Sequence, residues 1–222
     1  MLPFAGSLTT TANASLLFVV ATAFFYALLI EQPVSWRRSV VKTLPILLLT
    51  FLAYDRGGPL LLVAGLLFSA AGDAFLSRDG ERAFLAGLAS FLIGHCLYIA
   101  LFVGEGDGLL LFASEPWRIA GGLFFAVFAL FMAVRLAPVI EPALRAPVLA
   151  YIATILAMAL ASLSLGSLMV VTGAVAFMVS DALLAMGRFV LAPNDIRQRL
   201  ISLALWVLYV LAQILITLGF LL

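Results

Sequence analysis

Apolar residues run through this chain in long unbroken stretches, without the alternation of a half-buried strand. Eight segments can be read: Ser15–Ile30, Lys42–Tyr54, Pro59–Leu76, Ala83–Val103, Trp117–Val134, Pro147–Leu165, Ser167–Met186 and Leu200–Leu222. A helix needs about 20 apolar residues to cross a bilayer, with a range of roughly 17–25. The second segment is short and needs its flanks to lengthen it. The sixth and seventh are separated only by Leu165, Gly166 and Ser167, without a charge. The small polar cluster Ser162, Ser164, Gly166 and Ser167 predicts a tight turn there. Without that turn the stretch is too long for one crossing. A transmembrane barrel needs alternating polar positions, which these runs lack. The pattern therefore predicts an all-α polytopic membrane protein of eight transmembrane helices, forming one integral membrane domain over residues 1–222.

The basic residues test that count independently. Loops after the first, third, fifth and seventh segments carry Arg37, Arg38, Lys42, Arg78, Arg82, Arg135, Arg145, Arg188, Arg197 and Arg199. The alternate loops hold only Arg56 and Arg118. This ten-to-two division predicts cytoplasmic odd-numbered loops and both termini on the non-cytoplasmic side. Residues 1–14 contain no Lys or Arg, so the first segment reads as a retained helix with no cleavable signal peptide. All loops are short, which places any chemistry inside the bundle or at its rim. The expected location is the plasma membrane, or the inner membrane in a bacterium.

Composition narrows the function classes. The chain is 65% hydrophobic and 10% charged, with a net charge of +1. So few charges cannot cover a water-facing surface, and the apolar content excludes disorder. No Lys/Arg-rich block exists to bind nucleic acid. One cysteine, Cys96, and one histidine leave neither an intrachain disulfide nor a usual zinc cluster. Cys96 reads as a small apolar filler rather than a nucleophile. There is no Gly-x-Ser-x-Gly elbow, and the acidic loop Gly104–Gly108 lacks the lysine of a phosphate-binding loop.

Carboxylates at membrane depth cost about 2.5–3.5 kcal/mol or more, so they face a cavity or a partner. Two stand out: Asp73 in the third segment and Asp181 in the seventh. Asp73 precedes Arg78 by 5 residues and Asp181 precedes Arg188 by 7, about 8 and 11 Å of helix. Both segments run in the same direction, so the carboxyl groups lie at similar depth in the cytoplasmic half. One reading makes each a structural tie, with Lys42 or Arg78 as partner. The other makes them a shared polar site. His95 and Tyr98 share a face of the fourth segment, and Tyr209 and Gln213 share a face of the eighth. His95 lies 13 residues from Arg82, roughly 20 Å, which predicts a deeper position than the aspartates. These side chains either line the site or make interhelical hydrogen bonds. Lys42, read as the start of the second helix, either snorkels to the rim, binds an anionic headgroup or pairs with an aspartate.

A faint internal echo accompanies them. Asp73 and Asp181 are followed by Ala-Phe-Leu and Ala-Leu-Leu. Tyr98 follows Asp73 by 25 residues and Tyr209 follows Asp181 by 28. Lys42–Pro45 is loosely matched by Arg145–Pro147. The echo predicts two four-helix repeats of like orientation, with the aspartates facing one another across their axis.

At these motifs the chain resembles the lysoplasmalogenases, the YhhN-like integral membrane proteins. The matching pieces are Lys42-Thr43-Leu44-Pro45, Gly72-Asp73-Ala74-Phe75-Leu76, the run Phe91–Tyr98 with its Gly94-His95, the run Gly173–Ala185 with its Ser180-Asp181, and Trp206–Gln213. Thr43 stands where the family pattern has a first proline. The resemblance implies an eight-helix hydrolase that cleaves the vinyl ether of lysoplasmalogen-like lysophospholipids, giving a fatty aldehyde and a glycerophospho-headgroup. Such ethers hydrolyse by protonation of the alkene carbon to an oxocarbenium ion, to which water adds. That chemistry suits a carboxyl pair, one as general acid and one as ionised stabiliser. Asp73 and Asp181 are the expected catalytic pair. Lys42 is expected on the phosphate, and His95, Tyr98, Ser180, Tyr209 and Gln213 on the substrate. The partner is a lysophospholipid or other lipid; no metal or cofactor is required, and the sequence assigns no oligomeric state. The alternative is a small-molecule or proton-coupled transporter, which would carry broken helices at equivalent points in the two halves and a path open alternately to both sides.

Overall fold

The computed structural model describes residues 3–5, 10–108, 110–192 and 195–222. Among them it contains only helices and turns: α1 (Thr11–Leu29), α2 (Trp36–Asp55), α3 (Leu60–Leu76), α4 (Glu81–Gly104), α5 (Leu110–Ser114), α6 (Trp117–Leu136), α7 (Pro142–Ser162), α8 (Leu168–Phe189) and α9 (Arg197–Leu221). Each expected apolar segment coincides with one long helix, and α5 is an additional short turn of helix in an acidic loop. Six helices, α1, α4, α6, α7, α8 and α9, are long and apolar enough to cross a membrane. Helix α3 is apolar but 17 residues long, and α2 carries Arg37, Arg38 and Lys42 in its first two turns. The protein is therefore an all-α polytopic membrane protein.

Two boundaries differ from expectation. Helix α2 begins at Trp36, capped by the Ser35 hydroxyl accepting from the Arg38 amide, so Lys42 lies in its second turn and does not open it. This lengthens the short second segment to 20 residues. The tight turn after α7 falls at residues 163–167, and it is stabilised from a distance. The guanidinium of Arg118, on α6 and only 1% exposed, donates to the carbonyls of Leu163 and Leu165 at 2.7 and 2.8 Å. Helix ends leave carbonyls without partners, and a buried cation with several donors satisfies two of them at once. Arg118, counted as a loop charge from the sequence, is a buried structural residue.

Helix α3 packs closely on α4, and α8 on α9. Without a hydrophobic drive between helices in lipid, close approach depends on small residues at the contact. A Cβ at Gly72 would come within 2.6 Å of the Phe91 ring, and one at Gly173 within 3.0 Å of the Ala212 carbonyl oxygen. These two seams hold the aspartate-bearing helices α3 and α8 against α4 and α9. Trp206 of α9 ties α1 to this core, its indole donating to the Ala23 carbonyl at 2.9 Å.

Candidate active site

The basic ends of the long helices gather at one end of the bundle, where Arg188 lies 5.0 Å over the Phe84 ring and Arg199 pairs with Glu31. From that end a cavity descends between α2, α3, α4, α8 and α9. Its mouth carries Arg78, Asp79 and Arg188; its depth carries Lys42, Asp73, Ser180, Asp181 and Tyr209. It holds about 840 Å³ of atom-free space, its open mouth included. Both sequence-selected aspartates thus line one cavity.

Helix direction explains how side chains from different levels meet. Side chains tilt toward their own helix N-terminus. Helices α3 and α8 start at the end opposite the basic rim, so Asp73 and Asp181 lean away from it. Helices α4 and α9 start at the basic end, so His95 and Tyr209 lean toward it. The expected depth offset between His95 and the aspartates is closed in this way: His95 Nε2 lies 3.4 Å from Asp181 Oδ2. Tyr209 donates to Asp73 Oδ2 at 2.7 Å.

The two carboxylates have different surroundings. Asp73 faces donors. Lys42 Nζ is 3.4 Å from its Oδ1, and the Tyr209 hydroxyl holds its Oδ2. Of the partners weighed for Lys42, the structure therefore selects Asp73. Asp181 faces His95 and the Tyr151 hydroxyl, which donates at 3.3 Å. The histidine ring is oriented by its Nδ1, 2.6 Å from the Phe91 carbonyl. A carbonyl only accepts, so Nδ1 carries the hydrogen. Nε2 is then the ring atom turned toward Asp181, and it makes no hydrogen bond at this separation. Both partners of Asp73, by contrast, are donors. Phe177 stands between the two clusters, with its ring 4.6 Å from His95 and 5.5 Å from Tyr209, centroid to centroid.

The remaining expected site residues separate by level. Ser180 is on the cavity wall, its hydroxyl donating to the Leu205 carbonyl at 3.1 Å. Tyr98 and Gln213 lie a turn beyond His95 and Tyr209 and bond to each other at 2.6 Å, forming a polar tie behind the cavity. Cys96 is exposed on another face of α4, so it fills no core space. Tyr151 and Phe177 were missed from sequence as site residues, while Arg78 was weighed only as a partner for an aspartate and Arg188 only as a rim charge. Tyr151 carries a signal in retrospect: it precedes Asp181 by 30 residues, as Lys42 precedes Asp73 by 31. Among the described residues no group of His, Cys, Asp and Glu has a metal-binding arrangement.

Comparison with known proteins adds a chemical context. The sequence profile of the YhhN family matches residues 37–220. The chain is 29% identical over 191 residues to a human protein named lysoplasmalogenase TMEM86A, covering 78% of this chain and 75% of that one. It is 31% identical over 163 residues to a Mycobacterium bovis protein named lysoplasmalogenase, covering 72% of this chain and 59% of that one. A bovine lysoplasmalogenase TMEM86A is 30% identical over 78% of this chain and 75% of its own length. No solved structure matches.

Proposed function

The chain belongs to the YhhN family, and we propose that it is a membrane-embedded hydrolase that cleaves the vinyl ether of lysoplasmalogen-like lysophospholipids. The observation that carries this reading is the single cavity into which α3 and α8 deliver Asp73 and Asp181 beneath a basic mouth. The relatives named lysoplasmalogenase supply the reaction. In this reading α2 and α3 complete eight spans, one domain covers the chain, and both termini lie on the non-cytoplasmic side. The cavity then opens to the cytoplasm.

Asp181 with His95 supplies the proton, delivered to the alkene carbon remote from oxygen. The resulting oxocarbenium ion is stabilised by the carboxylate of Asp73, which Lys42 and Tyr209 hold in place. Water adds to the cationic carbon and its proton returns to the Asp181–His95 pair. The hemiacetal then collapses, its hydroxyl proton passing to the departing glycerol oxygen, to give aldehyde and glycerophospho-alcohol. Positioned acid–base groups of this kind contribute about 10²–10⁴-fold. Ser180 and Tyr151 shape the wall around the reacting carbons, and Tyr98 with Gln213 fixes the helices behind it. Lys42, engaged with Asp73, serves the pair; Arg78 and Arg188 at the mouth meet the phosphate, as guanidinium forks suit phosphate oxygens.

The transporter reading is weaker on two grounds. The helices that line the cavity are continuous, α3 past Asp73 and α8 past Asp181. The polar lining also ends at the level of the carboxylates, and Tyr98 and Gln213 close the core behind it by bonding to each other. The deciding experiment is aldehyde release from a lysoplasmalogen by purified protein in detergent. Wild-type turnover is expected and both Asp73→Asn and Asp181→Asn should abolish it. Undiminished turnover in the two variants would sink the mechanism, and no turnover by wild type would sink the activity.

A further inference from the structure

A second space meets the site at Asp181. It lies between α4, α6, α7 and α8 and holds about 560 Å³ of atom-free space, its open side included. Asp181 and Tyr151 are the only polar residues among those that line it. Phe84, Asp181 and Leu184 belong to both this space and the polar cavity. The two are therefore adjoining compartments of one site, a polar cavity with a basic mouth and, beside it across Asp181, a hydrocarbon-like space. From Met178 to Phe189, both on its wall, α8 rises about 16 Å.

We propose that this compartment is the seat of the lipid's hydrocarbon chain, and that Ala129 and Met132 of α6 set the chain length accepted. The proposal rests on the lipid reading above, though not on which bond is cleaved. Three observations support it. First, the wall is built rather than incidental: Ala129, Met132, Val148, Ile155 and Met178 are all buried. Second, the rim end is closed by rings, Phe84 packing edge-on against Phe189 at 5.8 Å with Arg188 over it, so an apolar chain is kept from the aqueous mouth. Third, a lysolipid has one charged end, one reactive linkage and one chain. The site offers arginines, carboxylates and an apolar compartment, the last reached sideways across Asp181. The larger groove between α1 and α9 does not fit as well. It reaches the polar cavity only at Trp206, and its walls include Phe24, Leu28 and Val207, each more than half exposed, as expected of residues that simply face lipid.

The chain's position is read directly with a saturated 1-alkyl ether lysophosphocholine carrying a diazirine at the chain terminus. Such a lipid binds but has no vinyl ether to hydrolyse. Photolysis followed by peptide mapping should label α6 around residues 128–132 or α7 around 152–156. Labelling confined to α1 and the outward face of α9 would overturn the proposal, whether or not the protein is a hydrolase. The second arm compares octenyl and octadecenyl glycerophosphocholine vinyl ethers. Ala129→Phe should lower the long-to-short ratio of kcat/KM by about tenfold or more, the scale on which an apolar pocket discriminates chain size. Val207→Phe, in the α1–α9 groove, should leave that ratio unchanged. The reverse pattern would place the chain in that groove. Wild-type protein that labels on α6 or α7 yet hydrolyses neither ether would refute the proposed reaction and leave the chain site standing.

Discussion

The surroundings of Asp73 and Asp181 follow one plan and differ in one element. Each aspartate sits on a helix that ends at the basic rim. Each meets a side chain from the helix before it, Lys42 or Tyr151, and one from the closing helix of the other half of the chain, Tyr209 or His95. The exchange between the two halves is reciprocal, although the tyrosine echo of Tyr98 and Tyr209 does not mark equivalent contacts. The difference lies in charge. Around Asp73 the neighbour is a cation and both partners donate, so the carboxylate is complete as an anion. Around Asp181 the neighbour is a phenol, and the histidine's Nδ1 is already committed to Phe91, which leaves Nε2 turned toward the carboxylate. One frame thus gives two identical residue types different partners, and the proposed division into anionic stabiliser and proton donor rests on that difference.

The sharpest test exchanges these roles. Asp181→Asn should lower kcat by about 10²–10⁴-fold with the helical content and detergent melting curve retained, because the amide keeps the volume and a partner for Tyr151. Retained turnover would remove Asp181 from the chemistry. The next effect is on folding. Lys42→Met strips the cation from buried Asp73, and breaking a buried pair from one side costs about 3–5 kcal/mol. The double variant Lys42→Met, Asp73→Asn should recover most of that stability while remaining inactive. If the single variant melts like wild type, the ion pair is not a structural element. Tyr151→Phe removes one long hydrogen bond to Asp181 and should cost about tenfold in kcat, since bonds to charged groups are worth roughly 1.5–3 kcal/mol and this one, at 3.3 Å, is at the weak end. An equal loss in KM alone would assign Tyr151 to binding. Cys96→Ala should leave turnover and melting within error, and a large loss there would show that the exposed face of α4 takes part.

The spans were legible because crossing a bilayer is a local demand on about 20 consecutive residues. The candidate carboxylates were legible for a related reason, since an acid within an apolar run has few explanations. The wiring was not. Tyr209 reaches Asp73 across 136 residues of sequence and Tyr98 reaches Gln213 across 115, and no periodicity within one helix encodes such pairs. His95 was set too deep because helical rise was counted along Cα positions, whereas opposed side-chain tilts bring the functional atoms together. Arg118 was read as a loop charge because positive-inside bookkeeping cannot distinguish a rim residue from one that reaches into a turn 45 residues away.

Taken alone, the order of residues determined that this chain is an all-helical membrane protein with two acids at like depth and a resemblance to vinyl ether hydrolases. Each of these depends on local hydropathy or short motifs. Only the folded bundle decided that the acids share a cavity, that one is paired with a lysine and the other with a histidine, and that an apolar compartment adjoins the second. Those facts depend on which helices become neighbours and on the direction in which each one points its side chains, and both are settled by packing among the helices.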